Sequence, residues 1–316
     1  MLSSNWAAAL EPNIIEWSHE GFNTHPDTTT DIFKVKDEAS GVIRFQDSWG
    51  PRIIPSSTED GSTALLEKQK GYQTLLAPTI YKGKMKISRE MKRWNNYQQI
   101  EDDARDLGSA AKETLNLIAN GTFITDFDTC YLGYGDGLPI FSTAHTRPDG
   151  GSNQSNASST GITLTEANLE TGVTALRQQK TGTGKKLMVG PGNLILMVPE
   201  SLDKEAVIIT GSQKRSDTTD NDLNWYQGKF AVLVNPFIGS DITDLSGNSG
   251  SDTAWYLLAK GVNGLTFIYD QRPIYDSWED KDKDAFYFKV YFSCKATWKN
   301  WIGTWGSKGD GASYSS

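Results

Sequence analysis

Residues 88–121 read SREMKRWNNYQQIEDDARDLGSAAKETLNLIANG and carry the strongest periodic signal in the chain. Apolar residues recur there every three or four positions, which places them on one face of an α-helix. The pattern predicts one long helix with Ser88 as N-cap, Asn120-Gly121 as a left-handed stop and Gly108 as a mild internal weakness. The predicted buried stripe is Met91, Trp94, Tyr97, Ile100, Ala104, Leu107, Ala111, Leu115 and Ile118.

The residues before this helix have few apolar side chains with which to build a core. Residues 1–40 are polar with scattered apolar positions, so we expect this segment to be disordered or bound to another surface. Residues 41–87 form a long excursion in which GVIRFQDSW (41–49) and YKGKMKIS (81–88) alternate as strands do. The residues between them are polar and rich in turn formers. A two-stranded ribbon of this kind is marginal alone, so it is expected to lie against a surface outside itself.

The residues after position 125 alternate between short helices and strands, which indicates the α+β class. TEANLETGVTALRQQK (165–180) predicts a helix capped by Thr165, and ESLDKEAVIITGS (200–212) predicts another. NLILMVP (193–199) predicts a buried strand. WYLLAKGVNGLTFIYD (255–270) predicts a hairpin turning at Asn263-Gly264. DAFYFKVYFSCKATW (284–298) is the longest strand candidate, and PDGGSNQSNASSTG (148–161) is expected to be a flexible loop.

Composition and charge exclude several classes of protein. The chain has 316 residues and a formal net charge of -8 at pH 7, so it has no general basic surface for nucleic-acid phosphates. It has no window of roughly 20 apolar residues that could span a bilayer, and we expect a soluble protein without an export signal. Cys130 and Cys294 lack the spacing of metal ligands and are interpreted as reduced thiols.

The triplet Asp136, Ser142 and His145 is the most enzyme-like feature of the sequence. A serine hydrolase would need its nucleophile on a G-x-S-x-G elbow, and Ser142 is not in one. We therefore interpret the triplet as a structural loop in which His145 satisfies backbone groups. The run Glu101-Asp102-Asp103 cannot converge on one metal ion, because successive helical residues point 100° apart. We predict no catalytic, cofactor-binding or metal-binding residues.

Two further groups of side chains have two interpretations each. Lys68 and Lys70 are either contacts to an acidic partner or part of an ordinary solvated turn. The tryptophans of the C-terminal stretch, Trp298, Trp301 and Trp305, favour a core or an interface over a ligand platform.

The order of these parts resembles the major capsid proteins of tailed bacteriophages with the HK97-like fold. The resemblance is carried by YKGKMKISREMKRWNNYQQI (81–100), ANGTF (119–123) and above all GLPIFSTAH (137–145), and it covers most of residues 30–300. It implies an N-terminal arm (1–40), an E-loop (41–87), a P-domain with a long spine helix (88–121 and 271–298) and an A-domain (122–270 and 299–316). The segment IFSTAH (140–145) would then connect the spine helix to the A-domain without chemistry.

The same resemblance implies a structural function. The chain would be a non-enzymatic head protein that self-assembles, as hexamers and pentamers, into an icosahedral shell around double-stranded DNA. Its partners would be a portal and possibly separate scaffolding or decoration proteins, with no cofactor and no membrane, and the virion would assemble in the bacterial cytoplasm. The alternatives are an encapsulin-like nanocompartment shell and, remotely, a serine hydrolase using Ser142 and His145.

Two family features have no match in this sequence. Some family members carry an N-terminal scaffolding domain of about a hundred residues, commonly helical, and no stretch of this sequence has that length and pattern, so we expect scaffolding to be separate, absent or already removed. We also match no lysine and asparagine of this sequence to the intersubunit crosslink that some members form. The net negative charge further predicts that the inner surface of the shell is neutral to acidic and that subunits bind DNA only non-specifically. The candidate intersubunit contacts are Trp6, Ile14, Trp17, Trp49, Arg52, Lys68, Lys70 and Tyr72.

Overall fold

The computed structural model describes residues 3–94, 96–125, 127, 136–190, 192–214 and 223–313. The chain divides into two compact units. The first comprises Met1–Ile43, Ala77–Ala119 and Thr266–Thr297, and the second comprises Arg44–Leu76, Asn120–Leu265 and Trp298–Ser316. No helix among the described residues has the length and apolar character needed to cross a membrane.

The described helices and strands mix along the chain, as the α+β class requires. The helices are α1 (Ser3–Thr24), α2 (Thr29–Ile32), α3 (Arg89–Arg93), α4 (Tyr97–Ile124), α5 (Glu166–Gln178) and α6 (Asp203–Gly211). The strands are β1 (Lys34–Asp37), β2 (Ile43–Trp49), β3 (Gln69–Leu76), β4 (Thr79–Ser88), β5 (Leu194–Val198), β6 (Phe230–Val234), β7 (Trp255–Ala259), β8 (Leu265–Asp280), β9 (Ala285–Trp298) and β10 (Thr304–Ser307).

The first unit is built on a four-stranded sheet in the order β1-β8-β9-β4. β1 runs parallel to β8, and β4 runs antiparallel to β9 from the pair Thr79 and Cys294 to the pair Ser88 and Ala285. Leu107 of α4 packs over Gly83 of β4. The buried residues of α4 in this unit include Ile100, Ala104, Leu107, Ala111 and Leu115, as the periodicity predicted.

The prediction of one helix over 88–121 is wrong at both ends. The helix breaks after α3. Ser88 Oγ accepts a hydrogen bond from Met91 N at 3.3 Å, so it caps only α3. Trp94, which was predicted to be buried, is 68% exposed. Asn120-Gly121 lies inside α4 and does not stop it. The helix continues because Asn120 Oδ1 accepts a bond from Asn235 Nδ2 at 2.7 Å and because the following turn buries Phe123.

The N-terminal segment is a helix that packs on its own chain. Gly21 of α1 and Gly108 of α4 lie where the two helices approach so closely that a Cβ at either position would overlap the other helix's backbone. Arg105 Nη2 lies 2.9 Å from Glu20 Oε2, and Ser109 Oγ donates to the Gly21 carbonyl at 3.2 Å. Of the two outcomes expected for residues 1–40, the structure therefore shows binding, and the surface bound is α4.

The excursion contains a strand that the sequence analysis missed. β2 pairs with β3 in a separate two-stranded sheet, whereas β4 pairs with β9. The predicted pairing of 41–49 with 81–88 is therefore wrong. Residues 69–76 were not predicted as a strand because Gly71 and the polar residues beside it show no alternation of apolar and polar side chains. In the structure the alternation appears as the burial of Thr74 and Leu76.

The second unit has a sheet in the order β10-β7-β5-β6 with α5 and α6 packed near it. β5 is entirely buried, as predicted. Thr165 Oγ1 caps α5 by accepting a bond from Asn168 N at 3.2 Å, and the buried face of α5 includes the predicted Leu169, Val173 and Leu176. The three C-terminal tryptophans, Trp298, Trp301 and Trp305, are buried, which confirms the core interpretation.

The hairpin predicted at Asn263-Gly264 is wrong. β7 pairs with β5 and β10, whereas β8 pairs with β1 and β9. Among the non-glycine residues that the structure describes, only Asp284 has a positive φ, so Asn263 cannot form the predicted turn. Gly264 is required instead because its Cα faces the backbone of Asn300. β8, with 16 residues, is also longer than β9, with 14, which was expected to be the longest strand.

Candidate assembly surfaces

The triplet Asp136, Ser142 and His145 is only partly brought together. His145 Nδ1 lies 2.8 Å from Asp136 Oδ2. His145 Nε2 instead faces two acceptors, the Ile140 carbonyl oxygen at 3.2 Å and Asn156 Oδ1 at 3.1 Å. Ser142 Oγ accepts a bond from Ala144 N at 3.3 Å. A general base must reach the nucleophile's hydroxyl, and this ring is turned to other partners.

The imidazole is held as a structural element of the second unit. Its ring stacks on the Trp301 indole with centroids 4.5 Å apart and planes 6° from parallel. Its backbone exchanges two hydrogen bonds of 2.9 Å with Gln154. The interpretation of His145 as a structural residue that satisfies backbone groups agrees with these contacts. The segment 148–161, which was expected to be a flexible loop, is bonded to its surroundings at Gln154, Ala157 and Thr160.

Asn156 organises this region and was missed by the sequence analysis. Its side chain is fully buried; Nδ2 donates to the Ile140 carbonyl at 2.6 Å and to Thr304 Oγ1 at 3.2 Å, while Oδ1 accepts from Ser142 N at 2.8 Å. Its backbone also bonds to Ser142 and Gly306. Asn156 is one of many polar residues in a Gly/Ser/Asn-rich stretch, and nothing in the sequence indicates that it bonds to such distant partners.

Replacing Asn156 by alanine is expected to lower the free energy of unfolding by about 1–2 kcal/mol, because buried partners are left unpaired. Ser142→Ala is the matched control and is expected to cost less than about 1 kcal/mol, since among the described residues its Oγ takes part in one long hydrogen bond. Chemical denaturation of both variants measures the difference. Equal losses in the two variants would show that Asn156 is not the organising residue.

The strands at the base of the excursion are bonded to the rest of the second unit through polar contacts. Tyr72 Oη lies 2.6 Å from Thr146 Oγ1, and Gln69 Nε2 donates to the Pro148 carbonyl at 3.0 Å. Lys299 Nζ lies 3.2 Å from Oδ1 of the buried Asp47. Burial raises the pKa of the Asp47 carboxyl, although Lys299 and Asn300 oppose this shift. These contacts connect β2 and β3 to the rest of the second unit.

The structure scatters the candidate contact residues. Ile14 is buried within its own unit, Trp17 is half-buried, and the side chain of Trp6 lies outside the described residues. Trp49 packs against the hydrophobic core of the second unit. Tyr72 is bonded to Thr146, as described above. The exposed candidates are Arg52, Lys68 and Lys70.

The exposed apolar residues of the excursion are a candidate surface that the sequence analysis did not name. Every residue from 52 to 68 is exposed. Ile53 and Ile54 are each 76% exposed, and Leu65 is 86% exposed. In the sequence, this surface could have been recognised from the pairs Ile53-Ile54 and Leu65-Leu66 within a polar segment. Among the described residues, no group of three His, Cys, Asp or Glu side chains could hold a metal ion.

The comparisons with known proteins agree with this architecture. A family model described as phage capsid protein matches residues 71–306. No curated protein matches the sequence. The solved structures similar to this chain include that of Mycobacterium phage Patience, with 11% identity, 99% of this chain and 90% of the other covered, and a TM-score of 0.57.

Two more solved structures have comparable similarity. The procapsid of bacteriophage JBD30 is 13% identical, with 97% of this chain and 76% of the other covered and a TM-score of 0.51. A virus-like particle from Pyrococcus furiosus is 11% identical, with 94% and 98% covered and a TM-score of 0.51. The predicted α+β class and HK97-like fold are confirmed. The chain belongs to the phage capsid protein family and is a structural major capsid protein of the virion.

Proposed function

We propose that this capsid protein forms a closed icosahedral shell of hexamers and pentamers around double-stranded DNA, assembled in the bacterial cytoplasm and joined to a portal. Its role is structural, without catalysis. The observation that carries the proposal is the exposed excursion, since an extended segment with uncovered isoleucines and leucines gains free energy when a neighbouring subunit buries it. Separate scaffolding or decoration proteins would complete the assembly.

The division into two units supports the proposed domains. We assign the unit that contains most of α4, β8 and β9 to the proposed P-domain with its spine helix, and this unit also contains the residues of the proposed N-terminal arm. We assign the unit that contains α5, α6 and the second sheet to the proposed A-domain. β4 pairs within the first unit, so we place the boundary of the E-loop before β4 instead of at residue 87. The net charge of -8 is consistent with weak attachment to the enclosed DNA.

Substituting Ile53, Ile54 and Leu65 together by serine is expected to leave a folded subunit and to reduce the yield of shells by about tenfold or more, because apolar burial drives association. The matched control is the triple variant Met188→Ser, Val207→Ser and Leu245→Ser, which changes exposed apolar residues of the second unit. Electron microscopy and sedimentation measure shell yield. Wild-type yield from the excursion variant would contradict the proposed role of this segment.

The contents of the particles test the remaining part of the proposal. Particles from infected cells are expected to contain double-stranded DNA that is protected from added nuclease. Particles that contain an enzyme and no DNA would instead establish the encapsulin-like alternative.

A further inference from the structure

A cleft with a volume of about 290 Å³ opens in the second unit beside α5. The first residues of the parallel strands β5 and β6, Leu194 and Phe230, are paired in register and line part of it. Val173 and Arg177 of α5, which are one helical turn apart, line another part. The complete lining is Val173, Arg177, Val189, Leu194, Trp225, Tyr226, Lys229 and Phe230.

The turn that precedes β6 is held in place by the buried Asn224. Its Nδ2 donates to the carbonyl oxygens of Ile209 at 2.6 Å and Ser212 at 3.0 Å, near the end of α6. Its Oδ1 accepts a bond from Tyr226 N at 2.9 Å. The Tyr226 ring in turn lies 5.6 Å from the Phe230 ring, measured between centroids. The aromatic lining is therefore positioned before a ligand enters, which reduces the entropic cost of binding.

The apolar side chains of the cleft range from buried to exposed. Val173 and Leu194 are buried, whereas Val189 and Phe230 are half-buried. Trp225 is 72% exposed. An apolar group that entered the cleft would contact side chains that already exclude water and would cover part of the exposed indole. Both contacts remove apolar surface from water, which favours binding.

Two cations line the same cleft without a carboxylate partner. Arg177 Nε is buried and has no hydrogen-bond partner among the described residues. Lys229 Nζ lies 3.2 Å from the centre of the Trp225 ring, where a cation is attracted to the aromatic face but keeps its full charge. Within the part of the chain that the structure describes, neither cation forms an ion pair. A buried donor without an acceptor is costly, and an anionic ligand would supply the acceptor.

The surroundings of the cleft do not account for these cations. Arg177 lies in the last turn of α5, where a positive charge is favourable, but this position does not explain why Nε is buried without a partner. Burial raises the pKa of the Tyr226 hydroxyl to about 12, a shift to which Glu170 and Glu166 add and which Arg177 opposes. Neither glutamate lines the cleft, so the described lining is positively charged.

We propose that this cleft binds a carboxylate attached to an aromatic or branched apolar group, with the carboxylate paired to Arg177 and Lys229. The volume equals that of about ten water molecules at roughly 30 Å³ each, which suits a group of the size of one aromatic amino acid. Inorganic phosphate is not expected to bind, because it would lose water against apolar side chains without compensation. The inference goes beyond the proposed function and does not depend on it.

Calorimetric titration of unassembled full-length subunits tests the site with two compounds of the same shape, phenylbutyrate and its uncharged analogue phenylbutanamide. We expect phenylbutyrate to bind about tenfold more tightly, because only the carboxylate accepts charge-assisted hydrogen bonds from the two cations. Arg177→Gln is expected to weaken phenylbutyrate binding by about tenfold and to leave phenylbutanamide binding unchanged. The matched control Lys204→Gln removes an exposed cation of α6 and is expected to change neither affinity.

Several results would overturn the proposal. These are equal affinities for the two compounds in the wild-type chain, no binding of phenylbutyrate at millimolar concentration, or a retained preference for phenylbutyrate in both Arg177→Gln and Lys229→Gln. If Arg177→Gln misfolded and lost both compounds, Lys229→Gln would decide the question, since Lys229 lies outside the helices. Tighter binding of adenosine monophosphate than of phenylbutyrate would assign the cleft to nucleotides instead.

A ligand of this chemistry could be a free organic acid or the last residue of another polypeptide, and a second pair of compounds distinguishes the two sources. The tripeptide acetyl-glycyl-glycyl-phenylalanine is titrated with a free and with an amidated C-terminus. Tighter binding of the free tripeptide than of phenylbutyrate would assign the cleft to a chain terminus, and binding of phenylbutyrate alone would assign it to a small acid. Shell formation is measured separately, so failure of this site and failure of the proposed function are distinguishable.

Discussion

Replacing Leu115 by alanine is expected to lower the free energy of unfolding by about 2–5 kcal/mol, the range for a buried leucine whose cavity does not collapse. Leu115 is 1% exposed and lies in the buried stripe of α4, four residues from Ala111 and eight from Leu107. Calorimetry or chemical denaturation of unassembled subunits measures the loss. Subunits are required because contacts within a shell would add to the apparent stability.

Trp94→Ala is the contrasting variant. The periodicity placed Trp94 in the same stripe, whereas the structure exposes 68% of it in the break between α3 and α4. We expect its loss to be within about 0.5 kcal/mol, as for exposed positions. A large loss at Trp94 with a small one at Leu115 would contradict the position of the break and the buried face of the helix.

These two residues show what the sequence could and could not predict. Between Ile100 and Leu115 one local periodicity determines the buried face, so the prediction holds. At the ends of the helix the outcome depends on partners far along the chain: Asn120 is held by Asn235, and a stop signal that is strong locally is overridden. The alternation of residues 81–88 likewise predicted a strand, but strand pairing is a long-range choice that alternation does not encode.

The residues of the candidate site likewise include some that the sequence could predict and some that it could not. The residues beside Ser142, which are Ile140, Phe141 and Thr143, already excluded a nucleophile elbow. The hydrogen bonds of His145 to other partners agree with that conclusion. Asn156, by contrast, bonds to Thr304, which is 148 positions away.

Gly108→Ala is expected to destabilise the subunit by about 2–3 kcal/mol, although glycine to alanine inside a helix ordinarily stabilises by about 1 kcal/mol. The sequence alone identifies Gly108 as a mild weakness of the helix. In the structure, a Cβ at this position would overlap the Ser18 carbonyl oxygen and lie 2.8 Å from Phe22 N. Both obstacles are backbone atoms of α1, which cannot rotate away as a side chain can, so α1 would have to shift.

Gly121→Ala tests this reasoning in the same helix. A Cβ there would meet its nearest neighbour, Asp244 Cβ, at the ordinary distance of 3.7 Å, so the helix propensity of alanine should dominate and stability should be unchanged or rise slightly. Chemical denaturation of both variants compares the signs of the two effects. If Gly108→Ala also stabilised the subunit, α1 would not pack against α4 at this point, and the N-terminal segment would be disordered or bound to another surface.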